Sequence, residues 1–502
     1  MKNNDRLPGP TLIGQVAAYF SWLRCWVCGP LDHYVVPKTQ IAGCHATSGS
    51  LGNKMVSGTK NYPQGIRFKQ RSVSGIIAAM YPSLPKMFHL SQCYPASRSL
   101  DVGAILREGF DRKSLGPKIH PGMRVAVGVG SRGITNLAEI VRSVINLLRA
   151  YGAEPFIIPA MGSHGGATPS GQQNVLAGFG VTPESTGVSF ETSMDVDEIG
   201  MFGDSCPVVF SRAALQADAI VIINRIKPHT DFFGKLGSGI QKMLVIGFGK
   251  HVGAANAHRV ASQLGHEAAI RETAQVILSK VPVLFAVAIL EDQHHQTNDL
   301  QVIRGDEILQ KEDALFLQSQ QLLARLPFSN IDLLIVDQLG KEISGSGMDT
   351  NVIGRGVFGY ISSLRPQGSP EIHISRIFVR DLTPATNGNA IGIGLADFTT
   401  TRVVNSIHRE YTYTNALTSL GLACAKIPLY FDTDREALER AIDSLICAKD
   451  NDLRIVRIRN TLSLAHMLVS ERLTVETTPS MPVEIDPTPQ ALLDADGNFP
   501  EL

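Results

Sequence analysis

The chain has 502 residues, 44% hydrophobic and 18% charged, with 46 basic side chains against 46 acidic ones. That length supports two domains with sizeable cores, and the even charge balance argues against an electrostatic nucleic-acid binder, which would carry a basic face. No apolar run approaches the ~20 residues of a bilayer span, and seven scattered cysteines do not read as a disulfide framework.

Residues 1–75 are read as a poorly organised extension outside the working fold. The mildly apolar run Leu12–Trp22 is interrupted by Gln15 and Ser21, and no small-residue cleavage site follows it. Cys25 and Cys28 form a lone CxxC; with no second pair they are assigned no metal. Organised sequence begins near Met123. Arg124–Gly130 is a buried-strand run, and Leu137, Ile140, Val141, Val144, Ile145 and Leu148 then recur at helical spacing before Gly152. Pro155–Ile158 predicts a second strand ending at Met161-Gly-Ser-His164-Gly-Gly. Thr168-Pro169 then opens a helix, a capping hydroxyl before a proline at the first helical position. Ala219–Ile223 is a third strand, Gly265–Leu278 a helical segment and Val283–Leu290 another strand. Such alternation predicts an α/β fold with a mostly parallel, helix-covered sheet.

A first domain over 76–295 is expected to end in the polar stretch Glu291–Asn298, whose His294 and His295 are assigned no role. A second α/β domain over 296–477 would hold a strand at Ile331–Val336, a glycine-rich loop at Gly340–Gly347, a strand within Glu371–Phe378 and an amphipathic helix at Asp434–Ile446. Residues 478–502, rich in proline and acidic side chains, are expected as a solvated tail.

Chemistry-bearing residues gather where such sheets place ligands, at the C-terminal ends of the strands. The first strand ends at Ser131-Arg132, the second at His164, and the third at Arg225, Lys227 and His229. A histidine beside glycines can equally cap a loop, and strand-end cations are often solvated. The convergence of Arg132, His164 and His229 from three strands favours an anion-binding crevice with two imidazoles able to exchange protons. Gly234–Lys242 lacks the Lys-Ser/Thr that a phosphate loop needs after its second glycine. Gly247-Phe-Gly249 lacks the wider dinucleotide fingerprint. His251, His258 and His266 could ligate a metal, yet no HExxH or structural-zinc spacing is present, so solvated helix residues remain an equal reading.

Arg132, the Gly-Ser-His164 loop, Lys-Pro-His229, the glycine-rich loop to Lys242, and His258 together resemble the nickel-dependent lactate racemase family. The order and approximate separations agree over about residues 100–290; the second half is similar only in general character. The resemblance implies a two-domain α/β fold with the active site in the interdomain cleft. It also implies a nickel-pincer nucleotide cofactor that dedicated cofactor-synthesis proteins must supply. Lys242 matches the lysine that tethers the cofactor, helped by Gly237 and Gly239 in its loop. His258 matches the nickel ligand, His164 and His229 the acid/base pair, and Arg132 an arginine near the substrate. The implied activity is that of a cytoplasmic racemase or epimerase of an α-hydroxy acid.

Three departures stand out. Val129 occupies the position of an acidic residue three before the arginine, and the His229–Lys242 segment is longer than in the lactate enzymes. In the second half, Gly340–Asn351 replaces the expected lactate-binding pattern, so Lys341, Asp349, Asn351 and Arg355 become candidate substrate contacts, or else parts of a plain surface loop. The rival readings are a metal-free lyase or dehydratase on the same scaffold, and a non-catalytic homologue that binds a ligand.

Overall fold

The computed structural model describes residues 84–131, 133–203, 206–230, 234–357, 372–445, 452–476 and 482–502. The extension expected over 1–75, the pair Cys25 and Cys28, and Arg132 lie outside the described residues. All described residues fall within one unit, Arg71–Leu502.

Runs of Val, Ile and Ala bounded by glycine and proline form the strands, as β-branched side chains favour pleated, two-sided burial. In chain order these are β1 (Met87–Gln92), β2 (Arg124–Val129), β3 (Glu154–Pro159), β4 (Val196–Phe202), β5 (Cys206–Ser211), β6 (Ala219–Arg225), β7 (Val283–Glu291) and β8 (Thr297–Arg304). The later strands are β9 (Asn330–Leu339), β10 (His373–Leu382), β11 (Phe398–Thr400), β12 (Leu429–Phe431), β13 (Ile455–Ile458), β14 (His466–Ser470) and β15 (Val483–Ile485). The longer helices are α1 (Val102–Arg112), α2 (Leu137–Ala150), α3 (Pro169–Gly178), α4 (Lys250–Leu264), α5 (His266–Lys280), α6 (Ile308–Gln321), α7 (Arg409–Ser419) and α8 (Asp434–Asp443).

The first sheet runs β3-β2-β6-β7-β8, parallel except for the β7–β8 pair. It is buried on both faces. Val125, Val127 and Val129 of β2 enter one apolar cluster with α1 and α2, while Ala126 enters another with the helices after β6. Every apolar position named for α2 from its periodicity is buried there: Leu137, Ile140, Val141, Val144, Ile145 and Leu148. Each such burial contributes about 2 kcal/mol. β3 follows β2 to one side and β6 returns to the other, so the strand order reverses beside β2, where a crevice opens at the C-terminal ends.

The second sheet runs β12-β11-β10-β9-β13-β14-β1-β15. Its first five strands are mutually parallel and the last three pair antiparallel. Here the division between sheets departs from the expected one. Glu291–Asn298 takes in the end of β7, the hairpin turn and the start of β8, so the chain stays with the first sheet through β8 and α6. β1 crosses early to the second sheet, where it pairs with β14. The tail expected to be solvated is packed in its described part: β15 pairs with β1, and Leu492, Leu493 and Phe499 are buried against β9, β10 and α8. Its proline and acidic content hid three large apolar residues spaced too widely to show a period.

Candidate functional site

His164 and His229 stand in the loops that follow strands, whereas Lys242, His251, His258 and His266 come from helical segments after β6. After β3 the chain turns through Met161–Ala167, with Gly162, Gly165 and Gly166 all at positive φ, and presents His164 at the surface of the crevice. Ser131, just beyond β2, places its hydroxyl 2.5 Å from His164 Nδ1. His229 follows β6. The chain then folds back on itself, with Lys227 and Ser238 exchanging both backbone hydrogen bonds at 2.8 and 2.9 Å. Asn224 Nδ2 donates to the carbonyl of Gly239 at 2.7 Å. This return brings Lys242 Nζ into contact with His229 Nε2.

Lys242 ends a single helical turn, Ile240–Lys242, and a π-helical stretch, Met243–Gly247, follows directly. Such stretches recur at functional sites because they re-aim one turn of side chains. The buried carboxylate of Glu312, from α6, accepts the Gln241 N–H at 2.9 Å and so caps this turn. Burial pushes the Glu312 pKa up to about 7, partly offset by the N–H donors it faces.

His164, His229, Lys242, His251, His258 and His266 line one cavity of about 640 Å³. The opposite wall comes from the second sheet and its helices: Lys341, Gly345 and Ser346 after β9, Asn389 and Ile391 after β10, and Thr414, Asn415 and Thr418 on α7. The cavity therefore sits between the C-terminal ends of both sheets, as expected for the fold. Its volume is in the range that holds a small-molecule cofactor or substrate.

The described residues proposed from sequence divide into four groups. His164, His229, Lys242, His258 and Lys341 meet in the cavity; Lys341 Nζ also donates to the Gly345 carbonyl at 2.6 Å. Asn351 and Asp349 stand behind His229. Asn351 Nδ2 donates to the His229 carbonyl at 3.2 Å and to Asp349 Oδ1 at 2.9 Å, and Asp349 also caps the short helix Thr350–Ile353. Arg355 is ion-paired with Asp397 at 2.6 Å and donates to the carbonyl of Leu395, so its guanidinium is engaged within the second lobe. Gly237 and Gly239 do not line the cavity either. A Cβ on Gly237 would stand 2.3 Å from the Lys227 carbonyl, and one on Gly239 would stand 1.8 Å from Glu312 Oε1. Their lack of a side chain serves the tight return before Lys242.

His251 and His266, named from sequence as possible metal ligands or solvated helix residues, also line the cavity, His251 from α4 and His266 from the start of α5; spacing along a helix alone does not say which of its faces meets a crevice. His258 and His266 pack edge to face, ring centroids 6.0 Å apart. Among the described residues no group of three or more His, Cys, Asp or Glu side chains is arranged to hold a metal ion. A metal relying on protein donors alone thus finds no cage there, whereas a cofactor bringing its own donors needs only one imidazole, such as His258, and an anchoring point such as Lys242. Lys242 and His258 are side chains of the cavity that could hold such a cofactor.

Among the described residues no helix is long and apolar enough to cross a membrane. Residues 91–270 match the family model of the lactate racemase N-terminal domain. Among solved structures, the chain is similar to a protein of Thermotoga maritima, at 13% identity and a TM-score of 0.46, over 74% of this chain and 99% of that one. It is also similar to the lactate racemase apoprotein of Thermoanaerobacterium thermosaccharolyticum, at 15% identity and a TM-score of 0.43, over 75% of this chain and 99% of that one. No curated protein matches it.

Proposed function

We propose that this chain, a member of the lactate racemase family through residues 91–270, is a racemase or epimerase of a small α-hydroxy acid that works with a lysine-tethered nickel-pincer nucleotide. One observation carries the reading: His164, His229, Lys242 and His258, all inside the matched span, line a single cavity. Lys242 would anchor the cofactor and His258 would complete the coordination of nickel. When bound, that group supplies a reversible hydride acceptor, chemistry that side chains lack.

The chain's own residues do the rest. The α-hydrogen of a hydroxy acid is too weakly acidic for a side-chain base, so its departure must be matched by loss of the hydroxyl proton. His164 takes that proton when the substrate lies with its hydroxyl toward the β3 loop, and His229 when it lies toward the β6 loop. Each returns the proton in the reverse direction, so the pair serves both enantiomers. Ser131 at His164 Nδ1 fixes the ring so that Nε2 faces the substrate. Lys341 binds the carboxylate from the opposite wall as a point charge. Arg132 is proposed as a second carboxylate contact.

The test is stereochemical. A single enantiomer of each of several hydroxy acids is incubated with cofactor-loaded enzyme, and the other enantiomer is followed by chiral chromatography. Racemisation without mass change is expected, falling by ~100-fold or more in His164→Ala and in His229→Ala. Loss of water from the substrate, or full rates in both variants, would overturn the reading.

A further inference from the structure

Behind the His164 loop lies a lysine that the proposed chemistry does not use. Lys250 opens α4 with a left-handed backbone, φ 56°, a conformation that non-glycine residues rarely adopt. Its side chain is fully buried. A buried ammonium needs partners, and Nζ donates to the Pro159 carbonyl at 2.7 Å, with Gln172 Oε1 at 3.5 Å. Burial pushes the Lys250 pKa down to about 8. Gln172, on α3, is also fully buried. Its other end, Nε2, donates to the carbonyls of Gly162 at 2.9 Å and His164 at 3.2 Å.

We infer that Lys250 and Gln172 are positioning residues, a buried clamp that runs from the first residue of α4 under the end of β3 and fixes the loop that carries His164. The juxtaposition serves the site in a specific way. α4 also carries His251 and His258 into the cavity, so one chain of hydrogen bonds ties the β3 loop to the helix that faces it. The loop's other hydrogen bonds are mostly local, such as His164 N–H to Met161 and Ala167 N–H to Ser163, and three glycines at positive φ in Met161–Ala167 make its backbone depend on such anchors. An amide is suited to the middle place because it accepts from Lys250 through one atom and donates to two carbonyls through the other. The catalytic part of the inference rests on the proposed role of His164; the clamp itself rests on the contacts alone.

The experiment uses the full chain and two substitutions. Gln172→Glu keeps an oxygen toward Lys250 and removes the donor to the loop; Gln172→Met keeps the size and removes both ends. Hydrogen exchange is expected to rise ~10-fold or more at residues 161–167 in each, with exchange in Leu137–Ala150 unchanged, and the imidazole resonances of His164 are expected to move. In cofactor-loaded enzyme kcat is expected to fall ~100-fold with KM altered less than ~3-fold, as for a misplaced acid/base group. Wild-type exchange at 161–167 in both variants would overturn the clamp, as would an increase spread evenly over the whole unit. Should the wild-type enzyme isomerise no hydroxy acid, the functional reading fails, and the exchange data still decide the clamp.

Discussion

At the scale of single residues, position in the fold decides what each ionisable group can do. Glu312 is the clearest case. Its carboxyl is buried with its pKa raised to about 7 from an ordinary 4.5, so between those values the folded chain keeps a proton that the unfolded chain has released. Stability from this group is therefore full below pH ~4.5 and lost as pH rises through ~7. In Glu312→Gln that fall is expected to disappear from denaturation curves measured across pH 4.5–7; an unchanged slope would contradict the assignment. His164 and His229 were singled out in the sequence because each stands just past the end of a strand, where chemistry is concentrated, whereas Lys242, in a helical turn, was given a role only through the family resemblance. Glu312, Gln172 and Lys250 were not legible. Each lies in an ordinary helical segment, and its importance comes from a contact with residues 71 to 91 positions away.

At the scale of elements, the return from β6 to Lys242 shows how little room the site leaves. A methyl on Gly239 would overlap Glu312 Oε1, so Gly239→Ala must push either the carboxylate or the turn aside. A loss of ~1–3 kcal/mol is expected from overpacking, read as a lower denaturation midpoint, together with a displaced Lys242. A fully stable variant with the wild-type site would show that this return is loose. The resemblance puts Gly237 and Gly239 beside a cofactor, yet only three dimensions distinguish a glycine that faces a ligand from one pressed against a carbonyl or a carboxylate. α2 and the strands β2, β3, β6 and β7 were readable at the outset because their periodicity is local and strong. The crossing of β1 to the second sheet depends on pairing with β14, some 380 residues later, which no local pattern encodes.

At the scale of the whole molecule, the end of the chain helps to lock the second sheet. Arg457, fully buried, forms a two-pronged ion pair with Asp337 at 2.9 and 2.8 Å, donates to the Pro500 carbonyl at 2.5 Å and lies 4.9 Å from the Phe499 ring. Removal of residues 495–502 is expected to cost ~3 kcal/mol or more through the lost Phe499 alone, seen as a lower unfolding midpoint with the first-sheet site unchanged. An unaltered midpoint would show that the segment only rests on the surface. The two sheets then act as walls that bring residues from distant parts of the chain to one cavity.

What that cavity holds is decided most directly by the mass of the peptide carrying Lys242, in protein taken from cells that make the nickel-pincer nucleotide. An increase on Lys242 matching a pyridinium mononucleotide is the expected result and makes a hydride acceptor the centre of the reaction. An unmodified Lys242 in such cells would contradict the tethered cofactor and with it the proposed route to racemisation.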